Sequence, residues 1–339
     1  MKIFVGLGLF AAIFFVLLIW SRGATGAVDP KDTQLKSLVI PKGASAENIS
    51  NRLREGGLIK SKAAFRIYLK IKGLEKKIPA GDYRLSSSFD LQKTVSALIT
   101  GPKGLWVTYP EGLRREEMAL ITIKSLEVED KAVFWEEFIT ESEGLEGFLF
   151  PDTYLFERGT GAKKIVDVLK GNFDKKTEDL KDEFGKSGST PLTTSSLGLE
   201  EVVNLASIVE RETRTGEERP IVAGILLKRL ERGMSLDVDA TLQYIAGSKR
   251  CEGKAVPILD CDWWEVPLLG DRELRSPYNT YRNRGLPPYP IANPGLSSIK
   301  AVLNPEESPY FYYLHDREGK IHYGETLEEH SENVARYIN

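Results

Sequence analysis

The stretch that decides the fold is Leu199 to Thr213, which reads LEEVVNLASIVERET. Its apolar residues recur at helical spacing, and a step of about 100° per residue brings them onto one arc. The residues on this arc are Val202, Val203, Ala206, Val209 and Thr213. Glu210 falls inside the same arc, between Leu199 and Val203. The pattern therefore predicts a helix whose buried face includes an acidic side chain.

The acidic side chain of Glu210 has two interpretations. A carboxyl group that is partly stripped of water is penalised in its charged form, so it holds a proton near neutral pH, as a general acid must. Alternatively, Glu210 reaches solvent at the end of the helix or pairs with Arg214 one turn later. Helical geometry alone favours neither interpretation.

Composition and charge narrow the class of protein. The 339 residues are 41% apolar and 28% charged, which is sufficient for two or more domains with ample core. The formal net charge is -3 and no basic patch stands out, so a nucleic-acid partner is not expected. Three histidines, His315, His322 and His330, lack metal-ligand spacing. We therefore expect no metal and no cofactor.

Two other catalytic chemistries are disfavoured by spacing. Ser207 lies three residues before Glu210, but no histidine is near in sequence, so a serine–histidine hydrolase is weakly supported. The glycines around Pro102 lack the spacing of a phosphate-binding loop. Acid catalysis by a carboxyl group is the chemistry that remains.

The N-terminus resembles a membrane segment. Residues 3–20 form an unbroken run of apolar residues and glycine between Lys2 and Arg22, close to the minimum for a membrane span. We predict an uncleaved anchor over 1–21; a removed signal peptide is the alternative. Either one exports the chain in a bacterial setting, where Cys251 and Cys261 could form a disulfide or stay reduced.

The order of elements indicates an α+β fold, because helices and strands alternate without the strict βαβ pattern. A polar linker over 22–36 precedes a small unit over 37–100, with a strand, two helices, a strand and a third helix. The remainder, 101–339, opens with a second strand and turn at Pro110-Glu111-Gly112. It then contains the helix described above and a helix over 217–232, and ends in a hairpin with a helical cap.

Two further segments combine rigidity with polar and aromatic side chains. Residues 145–154 read LEGFLFPDTY, and residues 276–295 contain several prolines. Such loops suit carbohydrate, whose rings stack on aromatic faces and whose hydroxyls need hydrogen-bond partners. The candidate substrate-binding residues are Asp152, Tyr154, Tyr278, Asn279, Thr280, Tyr281, Arg282 and Asn293. For each of them, a structural role in a well-packed loop is the alternative.

Four motifs in order resemble one family. LEGFLFPDTYLF, LASIVERET, SPYNTYRNRGLPP and ANPG follow a single membrane segment. This combination resembles the MltG/YceG endolytic murein transglycosylases over nearly the whole chain. The resemblance implies an inner-membrane anchor, a LysM-like module over 37–100 and a catalytic domain over 101–339 on the periplasmic side. It also implies peptidoglycan as substrate, and peptidoglycan synthases or division proteins as possible partners.

The resemblance places the family's catalytic acid on Glu210 and its second motif acid on Glu212, which we count among the substrate-binding candidates. It implies that one carboxyl acts twice. Protonated Glu210 donates to the oxygen between MurNAc C1 and GlcNAc, and then takes the proton of the MurNAc C6 hydroxyl as that oxygen attacks C1. The product is a 1,6-anhydroMurNAc end, and the expected role is to terminate nascent strands.

Three departures and two alternatives qualify this expectation. Asp239-Ala240-Thr241 replaces the family's D-P-T, Tyr289 replaces a glycine, and 247–270 resembles an insertion able to reshape the rim of the cleft. One alternative is a hydrolytic muramidase in which Glu212, Glu146 or Asp152 assists a water. The other is a membrane-tethered, non-catalytic wall-binding scaffold.

Overall fold

The computed structural model describes residues 23–102, 104–182, 184, 197–251 and 261–338. Its contacts divide the chain into two compact units, one with residues up to Val107 and Tyr154–Gly159, the other with Thr108–Thr153 and Thr160 onward. Each unit contains both helices and strands, so the α+β class is confirmed. The predicted anchor over 1–21 lies outside the described residues. In the part of the chain that is described, every helix is too short or too polar to cross a membrane.

The first unit is built from short capped elements. In chain order they are β1 (Leu35–Ile40), α1 (Ala46–Glu55), α2 (Lys62–Lys72), β2 (Gly81–Ser86), α3 (Leu91–Thr100), β3 (Gly104–Thr108) and β4 (Thr153–Glu157). Ser45 caps α1, because its hydroxyl accepts a hydrogen bond from the N–H of Asn48. Helix α2 ends at Gly73, whose φ of 65° is the left-handed conformation that glycine adopts readily. The strand, two helices, strand and helix predicted over 37–100 are all present.

One four-stranded sheet, in the order β1-β2-β3-β4, carries the core of this unit. Strands β1 and β2 pair antiparallel, with Leu38 opposite Tyr83. Leu53 and Phe65 from the two helices are fully buried in the cluster that covers the sheet. Strands β3 and β4 lie beyond residue 100, where the predicted small unit ends. The sheet of the first unit therefore includes strands from outside the range 37–100. The LysM-like identity of this unit stays a prediction.

The second unit is mostly helical. Its helices are α4 (Arg115–Ser125), α5 (Lys131–Glu141), α6 (Ala162–Lys176), α7 (Leu199–Glu212), α8 (Glu218–Glu231), α9 (Asp239–Cys251), α10 (Leu296–Leu303) and α11 (Leu327–Tyr337). Short 3-10 turns lie at Glu178–Leu180 and Leu269–Glu273. The antiparallel hairpin of β5 (Tyr312–His315) and β6 (Ile321–Gly324) precedes α11, so the predicted tail is confirmed.

Helix α7 is the centre of this unit. The helix predicted over 199–213 is observed from Leu199 to Glu212, and every residue from Val202 to Val209 is buried. The face that carries Asn204 and Ser207 is buried as well, since Asn204 donates to the carbonyl of Pro287 at 2.6 Å and Ser207 accepts from Ile291 N–H at 3.0 Å. A helix that is covered on all sides holds its polar groups by specific hydrogen bonds.

The two cysteines, whose state the sequence left open, form a disulfide at the end of α9. Cys251, at the end of this helix, forms a disulfide with Cys261, and the two Cα atoms are 5.9 Å apart. Trp263, two residues beyond the disulfide, is buried, with the guanidinium of Arg114 4.6 Å from its ring centre. The disulfide therefore fixes the start of a segment that leads to Trp264.

Candidate functional site

The Glu210 side chain is almost fully covered, which agrees with the first of the two interpretations that the sequence left open, but its surroundings are polar. The side chain lies in the last turn of α7 and is 6% exposed. Oε1 forms a 2.7 Å ion pair with Nη2 of Arg219, and Oε2 accepts from Gly295 N–H at 3.0 Å and from the Ser298 hydroxyl at 2.8 Å. These donors stabilise a carboxylate. The ion-pair partner is Arg219 of the following helix, in place of the Arg214 considered above.

Helix α10 supplies two of the three donors because of the way it begins. Gly295 is its N-cap residue, and Ser298 lies in its first turn. The first N–H groups of a helix have no partner inside the helix and carry the positive end of its dipole. A carboxylate at this end is stabilised by both effects. The ANPG motif therefore positions a helix N-terminus against Glu210.

Arg219 also contacts a second acid. Its Nη2 lies 3.3 Å from Oε2 of Glu111, so both carboxylates share one guanidinium nitrogen. The Glu111 carboxylate lies against the Cα of Gly295, where any side chain would collide with it. Glu111 is 45% exposed, whereas Arg219 is 15% exposed. The site therefore has a buried acid, an arginine and an acid open to solvent.

An aromatic side chain, Trp264, lies against the residue that follows Glu210. The guanidinium of Arg211, the residue after Glu210, lies 3.7 Å from the centre of the Trp264 ring. The indole N–H of Trp264 donates to Glu117 at 2.8 Å, and Nη1 of Arg211 donates to the carbonyl of Gly112 at 3.4 Å. Burial lowers the pKa of Arg211, which stays charged. The segment predicted as an insertion thus places a tryptophan against Arg211, the residue after the catalytic candidate.

Comparison with known proteins fits this geometry. The model of the YceG-like family matches residues 38–336, which is most of the chain. The chain belongs to the YceG-like family. This confirms the resemblance drawn from the four motifs, and with it the assignment of the chain to the lytic transglycosylase enzymes.

Named relatives are similar to this YceG-like chain over most of its length. A protein of Bacillus subtilis (strain 168), named endolytic murein transglycosylase, is 29% identical over 92% of the chain and 88% of its own length. One of Streptococcus pneumoniae (strain D39) with the same name is 28% identical over 92% of the chain and 60% of its own length. A 2.6 Å crystal structure of a putative YceG-like protein from Listeria monocytogenes is also similar, with 28% identity and a TM-score of 0.51. That match covers 88% of this chain and 99% of the other.

Glu212 follows Glu210 by two residues but faces a different set of partners. Its Oε1 accepts from Ala240 N–H at 3.3 Å and its Oε2 from the Tyr313 hydroxyl at 3.0 Å. Burial raises the pKa of Glu212 to about 6, against the lowering effect of these two hydrogen bonds. Glu212 therefore joins α7 to α9 and β5, and its predicted contact with substrate stays untested.

Three candidate substrate ligands have their polar atoms committed inside the protein. Asn279 donates to the carbonyls of Arg272 and Leu274 at 2.9 Å, and its Oδ1 accepts from Tyr281 N–H. The Thr280 hydroxyl accepts from Val238 N–H at 3.2 Å and pairs with Thr241 at 2.9 Å. Both side chains are buried, as is that of Asn293. These contacts fit the structural alternative, and the predicted contact of the three residues with substrate is untested.

Asn293 holds two motifs together. Its Oδ1 accepts from the N–H groups of Gly147 and Leu149, both at 2.9 Å, while its Nδ2 donates to Glu146 at 2.7 Å and to the Leu113 carbonyl. Burial raises the pKa of Glu146 well above its ordinary value, although Arg114 and Arg115 oppose the shift. An irregular loop needs such side-chain partners, because its own backbone groups lack a ladder.

The partly exposed candidates remain open to a ligand. Tyr278 lies with its ring centre 5.0 Å from that of Tyr244. The Tyr281 hydroxyl donates to Asp239 at 2.7 Å, and Arg282 forms a 2.7 Å ion pair with Glu273. Their predicted role in binding substrate is untested.

The two candidates from the 145–154 segment lie in different units. Burial raises the pKa of Asp152, but hydrogen bonds from Thr153 N–H and Lys176 outweigh it, so the pKa is lower than usual. Tyr154 belongs to the first unit, where its ring stacks on Phe156 at 5.7 Å. Their predicted contact with substrate is also untested.

Proposed function

We propose that this YceG-like protein is an endolytic murein transglycosylase that cleaves the bond between MurNAc and GlcNAc and leaves 1,6-anhydroMurNAc ends. Glu210 is its catalytic residue. The single observation that carries the proposal is the set of three donors on the Glu210 carboxylate: Arg219, Gly295 N–H and the Ser298 hydroxyl.

These donors stabilise the carboxylate that an acid leaves behind. When protonated Glu210 gives its proton to the glycosidic oxygen, negative charge appears on its two carboxyl oxygens. Donors that are already in place at those oxygens need no reorganisation as the charge develops. Each of the two oxygens has a partner at 3.0 Å or less. The surroundings of Glu210 therefore favour the proton-donating step.

The second step uses the same carboxylate as a base. The Glu210 carboxylate takes the proton of the MurNAc C6 hydroxyl, and that oxygen attacks C1 of the same sugar. The C1–O bond to the leaving sugar breaks, a C1–O6 bond forms, and the proton count on Glu210 returns to its starting value. The nucleophile is a hydroxyl of the same sugar and is already close to C1, so no water is consumed.

The hydrolytic alternative lacks support from the residues named for it. Glu212 is bound to Ala240 and Tyr313, and Glu146 is buried against Asn293. Asp152 accepts from its own neighbour, Thr153, and pairs with Lys176. A water activated by one of these acids would need a carboxylate that is free to accept its proton. The internal elimination is the better use of Glu210.

The cellular setting is part of the same proposal. The apolar run over 3–20 anchors the chain in the cytoplasmic membrane with a single span, and the rest lies on the extracytoplasmic side, next to the glycan strands. The Cys251–Cys261 disulfide supports an oxidising compartment. Cleavage close to the membrane would terminate nascent strands, and synthases or division proteins are the partners that such a role implies.

Product masses test the function. Purified peptidoglycan is digested with the wild-type chain, with Glu210→Gln, and with Glu178→Gln as a control on an exposed acid in a surface ion pair. We expect the wild type and the control to release fragments with anhydro ends, which are one water lighter than reducing ends. Glu210→Gln should release none while melting at the wild-type temperature. Reducing ends from the wild type, or activity in Glu210→Gln, would overturn the proposal.

A further inference from the structure

Arg219 contacts two carboxylates whose exposure differs. Its Nη2 lies 2.7 Å from Oε1 of buried Glu210 and 3.3 Å from Oε2 of half-exposed Glu111. Two oxygens at these distances from one nitrogen are at most about 6 Å apart. A small rotation of the guanidinium is therefore enough to strengthen one contact at the expense of the other.

The proposed reaction places a demand on this pair. Glu210 must carry a proton before the first step, yet its contact with Arg219 stabilises the charged form. Once Glu210 is neutral, the charge of Arg219 loses its closest partner. A partly buried cation without a counter-ion is unfavourable. Glu111 is an anion already in contact with the same nitrogen.

We propose that Glu111 is a positioning residue that takes over Arg219 when Glu210 is protonated, and so keeps Glu210 available as an acid near neutral pH. The proposal rests on the proposed function, because it concerns the proton that Glu210 donates. The guanidinium pairs with Glu210 in its charged form and with Glu111 when Glu210 carries the proton. Glu111 acts through Arg219 and forms no bond with the sugar.

The other groups around Glu210 leave this exchange to Arg219. From its own helix, the cation Arg211 is stacked on Trp264 and bonded to the Gly112 carbonyl. From α10 come a backbone N–H and the Ser298 hydroxyl, both neutral. Arg219 comes from α8 and Glu111 from the turn before α4. Of these groups, Arg219 alone is a cation in contact with a second acid.

The pH dependence of kcat/KM tests the exchange, because it reports the ionisation of the free enzyme. The full chain acts on uncrosslinked peptidoglycan strands, and anhydro ends are counted. In Glu111→Gln the charge of Arg219 faces Glu210 alone, so the alkaline limb of the profile moves to lower pH. We expect kcat/KM at neutral pH to fall about three- to tenfold, and activity to recover towards acidic pH.

A second variant, Arg219→Gln, should shift the pH profile in the opposite direction. In Arg219→Gln the charge that disfavours the proton is absent, so the alkaline limb moves to higher pH. Adding Glu111→Gln to Arg219→Gln should then shift the limb less than Glu111→Gln does on its own. Glu111→Asp should restore most of the wild-type profile. Glu178→Gln is the matched control and should leave the profile unchanged. Thermal melting identifies any variant that fails to fold.

Different results would contradict the exchange between Glu111 and Glu210 and the proposed function. If wild type yields anhydro ends while Glu111→Gln keeps the wild-type alkaline limb, the exchange is wrong and the function stands. A uniform loss at every pH would also contradict it, since that pattern marks a structural role. If Arg219→Gln does not fold, the direction in which Glu111→Gln moves the alkaline limb of the kcat/KM profile is sufficient to test the exchange. If wild type yields no anhydro ends, the function itself fails.

Discussion

The hydroxyl of Tyr313 donates a 3.0 Å hydrogen bond to the carboxylate of Glu212, and both residues are partly buried in the second unit. The other oxygen of this carboxylate accepts from Ala240 N–H in the first turn of α9. Glu212 thus connects the end of α7, immediately after Glu210, with α9 and with β5. Burial raises its pKa to about 6 and raises the pKa of Tyr313 as well.

We predict that Glu212 makes the protein less stable at neutral than at acidic pH. The folded protein holds the proton of Glu212 up to about pH 6, whereas the unfolded chain releases it near pH 4.5. This stabilisation is fully present below about pH 4.5 and is lost as pH rises through about 6, a change of about 2 kcal/mol. Glu212→Gln has no such proton, so its free energy of unfolding should gain about 2 kcal/mol on the wild type between pH 4 and pH 7.

Urea unfolding of both proteins at the two pH values measures this difference. Glu178→Gln, an exposed acid, is the control and should track the wild type. A constant difference between Glu212→Gln and the wild type at pH 4 and pH 7 would show that the carboxyl of Glu212 titrates normally.

Ser298→Ala should lower activity without unfolding the chain. The substitution removes the 2.8 Å hydrogen bond to Oε2 of Glu210 and leaves the bonds from Gly295 N–H and Arg219. Loss of one hydrogen bond to a charged group corresponds to about a tenfold decrease in kcat/KM. The neighbouring Ser297 is exposed, so Ser297→Ala is the matched control. Equal rates for the two alanine variants would argue against a role for Ser298.

Much of the fold could be predicted because its signals are local. Apolar spacing gave α7 and the acidic start at Glu217 gave α8, each to within a residue or two. The tail hairpin followed from two segments with aromatic residues on either side of a charged turn. The sheet of the first unit was harder. Strand β4 is separated from β3 by about 45 residues of the other unit, and local patterns do not encode such pairing.

Only part of the site could be predicted from the sequence, because local patterns do not encode tertiary contacts. The burial of Glu210 follows from its position on α7, but its partners arrive from α8 and α10 through tertiary packing. Arg219 and Ser298 carry no motif of their own. Glu111 had one signal, its place in the turn predicted at Pro110-Glu111-Gly112. Asn293 was predicted as a substrate ligand because it is polar and lies in a rigid loop. Sequence patterns do not encode the hydrogen bonds that its side chain accepts from the N–H groups of Gly147 and Leu149.

Asn293→Ala should be strongly destabilising. It leaves the N–H groups of Gly147 and Leu149 buried without partners, and Glu146 without its 2.7 Å donor. An unsatisfied buried group costs about 1–3 kcal/mol, so we expect a loss of about 3 kcal/mol or more in the free energy of unfolding. Thermal and urea unfolding measure it, with the exposed Asn304→Ala as control. A loss below 1 kcal/mol would mean that water replaces the amide.

Replacing both cysteines with serine should cost stability but little activity. The Cys251–Cys261 bond closes a short loop, with a sequence separation of 10, and such cross-links contribute about 2–3 kcal/mol through the unfolded state. The Trp264 segment has other attachments, since Gln243 donates to the Trp264 carbonyl at 2.9 Å and Arg250 pairs with Glu265 at 2.9 Å. The ring of Trp264 should therefore stay against Arg211 after the disulfide is removed.

Three proteins separate these contributions: wild type, the double serine variant and Trp264→Ala. Reduction with dithiothreitol should lower the melting temperature of the wild type to that of the serine variant and leave the serine variant unchanged. Digestion rates should stay within about threefold of wild type for the serine variant. They should be about tenfold or more below wild type for Trp264→Ala, because Arg211, the residue after Glu210, then loses the ring on which it is stacked. If the serine variant lost as much activity as Trp264→Ala, the disulfide itself would be what holds the tryptophan at the site, because the contacts of Gln243 and Arg250 would then be too weak to do so.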